Sequence, residues 1–262
     1  MKVGFIGCGN MGGALARAVS KVLTTDVYIY DYNEQKADDF AKEIGAKKCD
    51  NFTLAKECDY IFLGVKPNVL PSVLEGIKGA LSENDSFVLV SMAAGVKIEK
   101  IESIISAPII RIMPNTPVAV GSGMISWCKN GSVTEESAQA FEAIMAEAGK
   151  LLAIDEKLID AATAVAGCGP AFVYMFAEAL ADGGVQCGLT RDASLTLAAE
   201  TIKGAAEMIL KTGKHPEQLK DEVCSPGGST IVGVHALEDG AFRATTSGAV
   251  IAAYEKTKKL GN

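Results

Sequence analysis

The apolar positions of the chain change rhythm near residue 155. Before that point, short runs of β-branched and aromatic residues alternate with longer stretches in which apolar residues recur at helical spacing. The runs are VGFIG (3–7), DVYIYD (26–31), DYIFLGV (59–65), SFVLVS (86–91) and APIIRIM (107–113). Their near-continuous apolarity is that of strands covered on both faces, as in a parallel sheet. Helices are predicted over 10–22, over 34–43 and after Pro67. SGMISWC (122–128), a helix near 134–148 and LLAI (151–154) complete a first domain over residues 1–155. Strands alternating with helices predict an α/β, doubly wound, mostly parallel sheet.

From 156 to 262 the β-branched runs disappear and alanine dominates. Helices are predicted near 157–165, 170–187, 191–212, 216–223, 228–238 and 241–259, an all-helical second domain. The stretch from Pro170 to Ala181 is apolar on nearly every side. Such a helix is normally enclosed by other helices, and a domain of this size encloses one with difficulty. A second copy would complete the enclosure, so an interlocked homodimer is expected; an ordinary monomeric bundle is the alternative.

Composition narrows the function. Hydrophobic residues make up 48% of the chain, ample for two packed interiors. A net charge of -7 argues against nonspecific binding to nucleic acid or to an anionic membrane. The seven cysteines form no C-x-x-C pair and are odd in number, which argues against a disulfide framework and against a structural metal. Reduced thiols in the cytoplasm are the simpler reading. The N-terminal apolar run is too short for a signal peptide, and no stretch of about 18 apolar residues suggests a membrane span. With only His215 and His235 available, histidine-based catalysis or metal binding has little material.

The candidate chemistry lies at glycine-rich turns. Gly7-Cys8-Gly9-Asn10-Met11-Gly12 fits G-x-G-x-x-G between a strand and a helix, the context in which glycines admit a dinucleotide pyrophosphate to a helix N-terminus. Asp31, at the end of the second strand, suits the adenosine ribose hydroxyls of NAD, with no arginine following it. Two alternatives stand beside this: Asp31 and Asn33 cap the next helix, and Lys36 meets a 2′-phosphate. Val65, Lys66 and Pro67 follow the strand at 59–65 and border the same crevice, although Lys66 reads equally well as a solvated lysine. Ala93, Ala94 and Gly95 follow another strand and Asn115 a third, where small residues let a flat ring approach the backbone. In the helical half, Ser225-Pro226-Gly227-Gly228-Ser229-Thr230 combines a helix start, two glycines and hydroxyls. It reads as a carboxylate trap or as an ordinary Ser/Thr cap.

Taken together, GFIGCGNMGGAL, GVKPN, RIMPNTP, AGCGPA, ALADGGVQCGL and VCSPGGSTIVGVHALEDGAFR closely resemble pyrroline-5-carboxylate reductase, in order and spacing, over essentially the whole chain. The resemblance implies a Rossmann domain followed by an all-α dimerisation domain. It implies hydride transfer from NAD(P)H to the imine carbon of 1-pyrroline-5-carboxylate, giving L-proline in the last step of proline biosynthesis. Many members assemble dimers into decamers, and NADPH use is common. By position, Ser225 and the backbone of Gly227, Gly228, Ser229 and Thr230 resemble the family's substrate-carboxylate site. Thr230 resembles the threonine that hydrogen-bonds the ring nitrogen, which makes it the catalytic candidate. Asn51 resembles a residue at the adenosine end of the cofactor. Two departures stand out: Cys168 replaces the serine of the usual GSGPA, and Asp31-Tyr32-Asn33 stands where many relatives are neutral or basic, which favours NADH here.

Reduction of a protonated imine needs positioning more than acid–base power, so scarce histidine fits this chemistry. A 3-hydroxyacid dehydrogenase would need a Lys or His general acid on the first substrate-domain helix, and residues 167–180 contain neither. A dinucleotide-sensing regulator would need no second, hydroxyl-rich anion pocket.

Overall fold

The computed structural model describes residues 1–22 and 25–260. Residues 1–168, with the chain from Ala253 onward, form one compact unit, and Gly169–Ala252 form a second.

The first unit is built on eight strands. In chain order its elements are β1 (Lys2–Ile6), α1 (Asn10–Val19), β2 (Asp26–Tyr30), α2 (Glu34–Ile44), β3 (Lys47–Lys48), α3 (Asn51–Glu57), β4 (Tyr60–Leu63), α4 (Leu70–Leu81), β5 (Val88–Ser91), α5 (Ile98–Glu102), β6 (Ile109–Met113), β7 (Gly123–Lys129), α6 (Glu135–Ile144) and β8 (Gly149–Ala153). The strand order is β3-β2-β1-β4-β5-β6-β7-β8. Every pairing is parallel except β6 with β7. The link from β6 to β7 is a 3₁₀ turn over Thr116–Val120, too short for a crossover helix, so β7 turns back on its neighbour.

Alternation along the strands divides the core into two faces. Phe5, Phe62, Val90 and Ile112 point to one side, against Leu15, Phe141 and Trp127. Ile6, Ile61, Leu63 and Leu89 point to the other, against Leu54, Leu74, Ile77 and Leu81. Phe5 stacks on Phe62 with ring centroids 4.5 Å apart, which ties the two central strands together. The chain runs outward through β2 and β3 and then returns to start β4 beside β1. This reversal opens a crevice at the carboxyl ends of the central strands, the place where ligands bind in such sheets.

Periodicity did not reveal β3, α3 or α5, which are two to seven residues long and carry too few turns to show a repeat. The helix predicted over 134–148 stops at Ile144. Beyond it the chain turns into β8 at Gly149, where φ is +136° and a Cβ would stand 2.4 Å from the nitrogen of Gly123.

A connector follows β8: a 3₁₀ turn (Glu156–Leu158), α7 (Ile159–Ala162) and a π-helical turn (Thr163–Gly167). Composition changes at its start, whereas compactness changes at its end, because Ile159 and Ala164 are buried with the first unit. Buried Arg111 of β6 holds this connector, with Nη1 3.0 Å from Glu156 Oε1 and Nη2 3.6 Å from Asp160 Oδ1.

The second unit contains α8 (Gly169–Gln186), α9 (Arg191–Thr212), α10 (Pro216–Glu222), α11 (Ser229–Asp239) and the start of α12 (Phe242–Leu260). No strand follows Ala153 among the described residues. Local signals account for the breaks: Thr190 caps α9 by accepting from the Ala193 N–H, Gly213 ends it at φ +66°, and Pro216 opens α10. α8 and α9 approach closely at Gly184, where a Cβ would lie 2.7 Å from Ser194 Oγ. Only Ala181, Ser194 and Ala198 are buried in this unit, while Val173, Tyr174, Met175, Leu180 and Leu210 are exposed. The continuous helical run Glu156–Gln186 has a window of mean hydropathy 1.4 and is long and apolar enough to cross a membrane, although it contains no unbroken apolar stretch of that length.

Candidate functional site

The first site is the crevice edge of the sheet. Gly7 leaves β1 at φ +96°, and a Cβ there would stand 2.8 Å from the carbonyl oxygen of Gly64. A Cβ on Gly12 or Gly64 would come within 2.3 Å or 2.5 Å of Gly7 O. Three backbones, those of the β1 turn, α1 and the β4 end, therefore meet at distances only glycine allows. Gly9 differs, because its Cβ position has no atom within 4 Å and faces open space. Gly9 is the N-cap of α1 and no side chain caps the helix, so its first N–H groups, beginning at Asn10 and Met11, are free for an anion.

The other predicted cofactor residues lie along the same edge. Asn51 opens α3 just beyond β3, with Asp50 as its cap. Val65, Lys66 and Pro67 follow β4, and Lys66 is exposed with no ion-pair partner among the described residues. Ala93, Ala94 and Gly95 follow β5, with Gly95 at φ +75°. Asn115 lies two residues beyond β6 but is buried and engaged. Its Nδ2 donates to Ala166 O at 2.9 Å, and its Oδ1 accepts from the Met124 N–H at 2.8 Å. Any cofactor contact at Asn115 therefore falls to its backbone or its remaining amide hydrogen.

Asp31 is also engaged. Its Oδ2 accepts from the Cys8 N–H at 2.8 Å and its Oδ1 from the Asn33 N–H at 3.0 Å, with Lys36 Nζ 3.7 Å from Oδ2. The carboxylate thus ties the glycine turn to the end of β2, a role that the sequence pattern did not show. Asn33, not Asp31, caps α2, accepting from the Lys36 N–H at 3.0 Å. An ionised carboxylate has about four acceptor positions, so capacity for a ribose hydroxyl remains. A cleft of about 580 Å³, lined by Gly9, Asn10, Arg17, Asn33, Lys36 and Phe40 among others, opens beside it. Burial, with the Asp31 charge adding to it, pushes the Cys8 thiol up to about 12 and keeps it neutral.

The second site lies wholly within the helical unit. Gly227 is at φ +68°, and the Gly228 N–H donates to Ser225 O at 3.0 Å, closing a turn. Gly228 is the N-cap of α11, so the helix has no side-chain cap. This removes the ordinary Ser/Thr cap as the reason for the segment. Ser229 and Thr230 occupy the first two helical positions, and Ser225, Ser229 and Thr230 are all exposed. Free N–H groups and hydroxyls thus converge where a Cβ on Gly228 would stand 2.4 Å from Ser225 Oγ. All seven cysteines are free. Among the described residues, no cluster of three or more His, Cys, Asp or Glu is placed to hold a metal ion.

The profile of pyrroline-5-carboxylate reductase dimerisation matches residues 156–260, and that of NADP oxidoreductase, coenzyme F420-dependent, matches residues 2–95. The pyrroline-5-carboxylate reductase of Arabidopsis thaliana is 42% identical over 99% of this chain and 95% of its own length. The chain belongs to the pyrroline-5-carboxylate reductase family. The crystal structure of the Plasmodium falciparum pyrroline carboxylate reductase with NADP bound has a TM-score of 0.88 at 38% identity, covering 100% of this chain and 98% of that one. A pyrroline-5-carboxylate reductase from Coxiella burnetii has a TM-score of 0.91 at 32% identity, covering 99% and 98%. Within this family, two features of the chain went unforeseen. One is the Arg111–Glu156–Asp160 cluster, whose only signal was an arginine inside an apolar strand. The other is the tie from Asp31 to Cys8.

Proposed function

We propose that this chain reduces 1-pyrroline-5-carboxylate to L-proline with NAD(P)H, the last step of proline biosynthesis, as a cytoplasmic homo-oligomer. The observation that carries the reading is the uncapped, glycine-flanked start of α11 with its exposed hydroxyls, in a chain that matches reductases of this name end to end. We take 1–155 as the dinucleotide domain and 156–262 as the substrate-binding and dimerisation domain.

The crevice residues fit a dinucleotide: a Cβ would close the cradle at Gly7, Gly12 and Gly64, while Gly9 leaves it open. When bound there, NAD(P)H supplies the hydride. The N–H groups of α11 hold the substrate carboxylate, helped by Ser225 and by the positive end of the helix. Gly227 and Gly228 permit close approach. Thr230 Oγ1 hydrogen-bonds the ring nitrogen and orients the imine carbon, so its contribution is orientation rather than proton chemistry. Asp31 retains the capacity to bind ribose hydroxyls and favours NADH. Lys36, half exposed beside it, would offer a positive charge to a 2′-phosphate and so keep NADPH usable.

A second copy of the chain covers the exposed apolar face of α8. A partner copy suits this face better than lipid, because Glu178 and Asp182 interrupt it and Asp182 pairs with Arg191 at 2.6 Å. Assembly of dimers into decamers is the next level of the same reading. An acidic chain offers no general surface for nucleic acid. The test is a steady-state assay with pyrroline-5-carboxylate and either NADH or NADPH. Turnover with proline as product is expected. Failure to oxidise either cofactor in the presence of this imine would end the reading.

A further inference from the structure

We infer that Asn115 is a positioning residue for the reaction, holding the backbone from Ala166 to Cys168 against the carboxyl end of β6. The inference rests on the reading of the crevice as the NAD(P)H site.

From Glu156 to Gln186 the backbone is helical on both sides of a single bend at Cys168. Within an α-helix the N–H of residue 170 would bond the carbonyl of residue 166, four positions earlier. Residue 170 is proline and has no N–H. The preceding turn is π-helical, with the Cys168 N–H donating to Thr163 O at 2.9 Å, a spacing of five. Pro170 thus leaves the Ala166 carbonyl without a donor four residues on, where one hydrogen-bond pattern gives way to another. Asn115 Nδ2 supplies the donor at 2.9 Å.

The amide can do this in only one orientation. Asn115 Oδ1 accepts from the Met124 N–H at 2.8 Å, which places the NH₂ group on Ala166. A flipped amide would set oxygen against oxygen at one end and N–H against N–H at the other. Asn115 is 8% exposed, so water is a poor substitute for either bond. Arg111, four residues earlier, holds Glu156 and Asp160 at the other end of the connector. The β6 segment therefore grips the connector twice, by charge at its start and by an amide at its end.

The place of the grip gives it a role in the reaction. Asn115 lies on the same sheet edge as the turns after β1, β4 and β5, and a bond from it keeps Ala166–Cys168 as a wall of that crevice. β6 is separated from β1 by β4 and β5, so the wall is remote from the glycine turn and Asp31. Loosening it disturbs the reacting geometry while leaving the adenosine half of the site intact.

The experiment compares wild type, Asn115→Ala, Pro170→Ala and the double variant. Two readouts are kept separate: kcat and KM for pyrroline-5-carboxylate, and the Kd of NADH and NADPH from quenching of intrinsic fluorescence. Asn115→Ala is expected to lower kcat by about tenfold to a hundredfold, with cofactor Kd within about twofold of wild type. Pro170→Ala restores an in-helix N–H to Ala166, so the double variant is expected to recover at least about fivefold of the lost kcat. If Asn115→Ala does not fold, Asn115→Asp keeps the acceptor for Met124 and removes the donor, and the same loss of kcat is expected. A wild-type kcat in these Asn115 variants overturns the inference. A loss confined to cofactor Kd also overturns it and makes Asn115 a direct cofactor contact, and absence of recovery in the double variant overturns the role of Ala166. An inactive wild type overturns the functional reading instead.

Discussion

The two units share an apolar composition but bury it differently. In the strand-based unit Phe5, Ile6, Leu15, Phe62, Leu74 and Phe141 are all within 1% of complete burial. In the helical unit the buried side chains are two alanines and a serine, while Met175 and Leu210 are 70% and 83% exposed. Each buried Leu or Phe contributes roughly 1.5–3 kcal/mol, so the first unit has a self-sufficient core and the second lacks one. An α/β sheet covers both of its faces with its own crossover helices. A handful of long helices, one of them apolar on nearly every side, leaves a large apolar surface exposed.

Removing the charge that clamps the connector should have the largest effect. Arg111→Ala strands Glu156 and Asp160 beside a buried cavity and should cost about 3 kcal/mol. That is the low end for a broken buried cluster, because both carboxylates retain partial exposure. Urea denaturation measures it, and a loss below about 1 kcal/mol would mean that the first unit does not depend on its connector.

Thr230→Ala probes the helical unit's chemistry rather than its packing. It should lower kcat/KM by roughly tenfold to a thousandfold, about 1.4–4 kcal/mol, with the fold intact. Thr230→Ser should recover much of the loss, whereas Ser225→Ala should act chiefly on KM. A folded Thr230→Ala protein with wild-type kinetics would remove Thr230 from the mechanism.

Met175→Glu tests whether solvent or a second copy meets the exposed face of α8. If solvent faces this side chain, the change is neutral. If a second copy covers it, the dimer Kd should rise at least about tenfold, roughly 1.4 kcal/mol. Light scattering across a concentration series distinguishes the two, and a wild-type chain that is a fully active monomer at micromolar concentration would refute the partner-dependent core.

Cofactor choice gives a smaller effect, confined to the first unit. NADH should be used at least as well as NADPH. Lys36→Ala should weaken NADPH by about fivefold, close to 1 kcal/mol, and leave NADH nearly unchanged. Equal losses for both cofactors would assign Lys36 to the support of Asp31 instead. A wild-type kcat/KM more than about tenfold higher for NADPH would sink the argument from Asp31.

The smallest effect concerns the backbone between α11 and α12. Ala241 sits at φ +54°, the one non-glycine residue at positive φ among those described. Ala241→Gly should raise stability by about 0.5–1 kcal/mol, as relief of left-handed strain outweighs the added freedom of the unfolded chain. A lowered melting temperature would show that no strain is stored there.

Much of the molecule could be read without coordinates. Strand runs, the glycine turn after β1, the caps and prolines of the helical half, and the glycine-flanked start of α11 are local signals, set by residues within a few positions of one another. The roles proposed for Thr230 and Ser225 rest on family resemblance, because local chemistry says only that an anion could bind there. The structure decided matters that depend on which distant segments become neighbours. Asp31 bonds Cys8 because β2 lies beside β1, Arg111 finds Glu156 45 residues on, and Asn115 answers a carbonyl that Pro170 cannot serve. The same holds for the reversed β7 and for the uncovered face of α8. Periodicity states that a face is apolar, but only the packed chain shows whether that face has anything to meet.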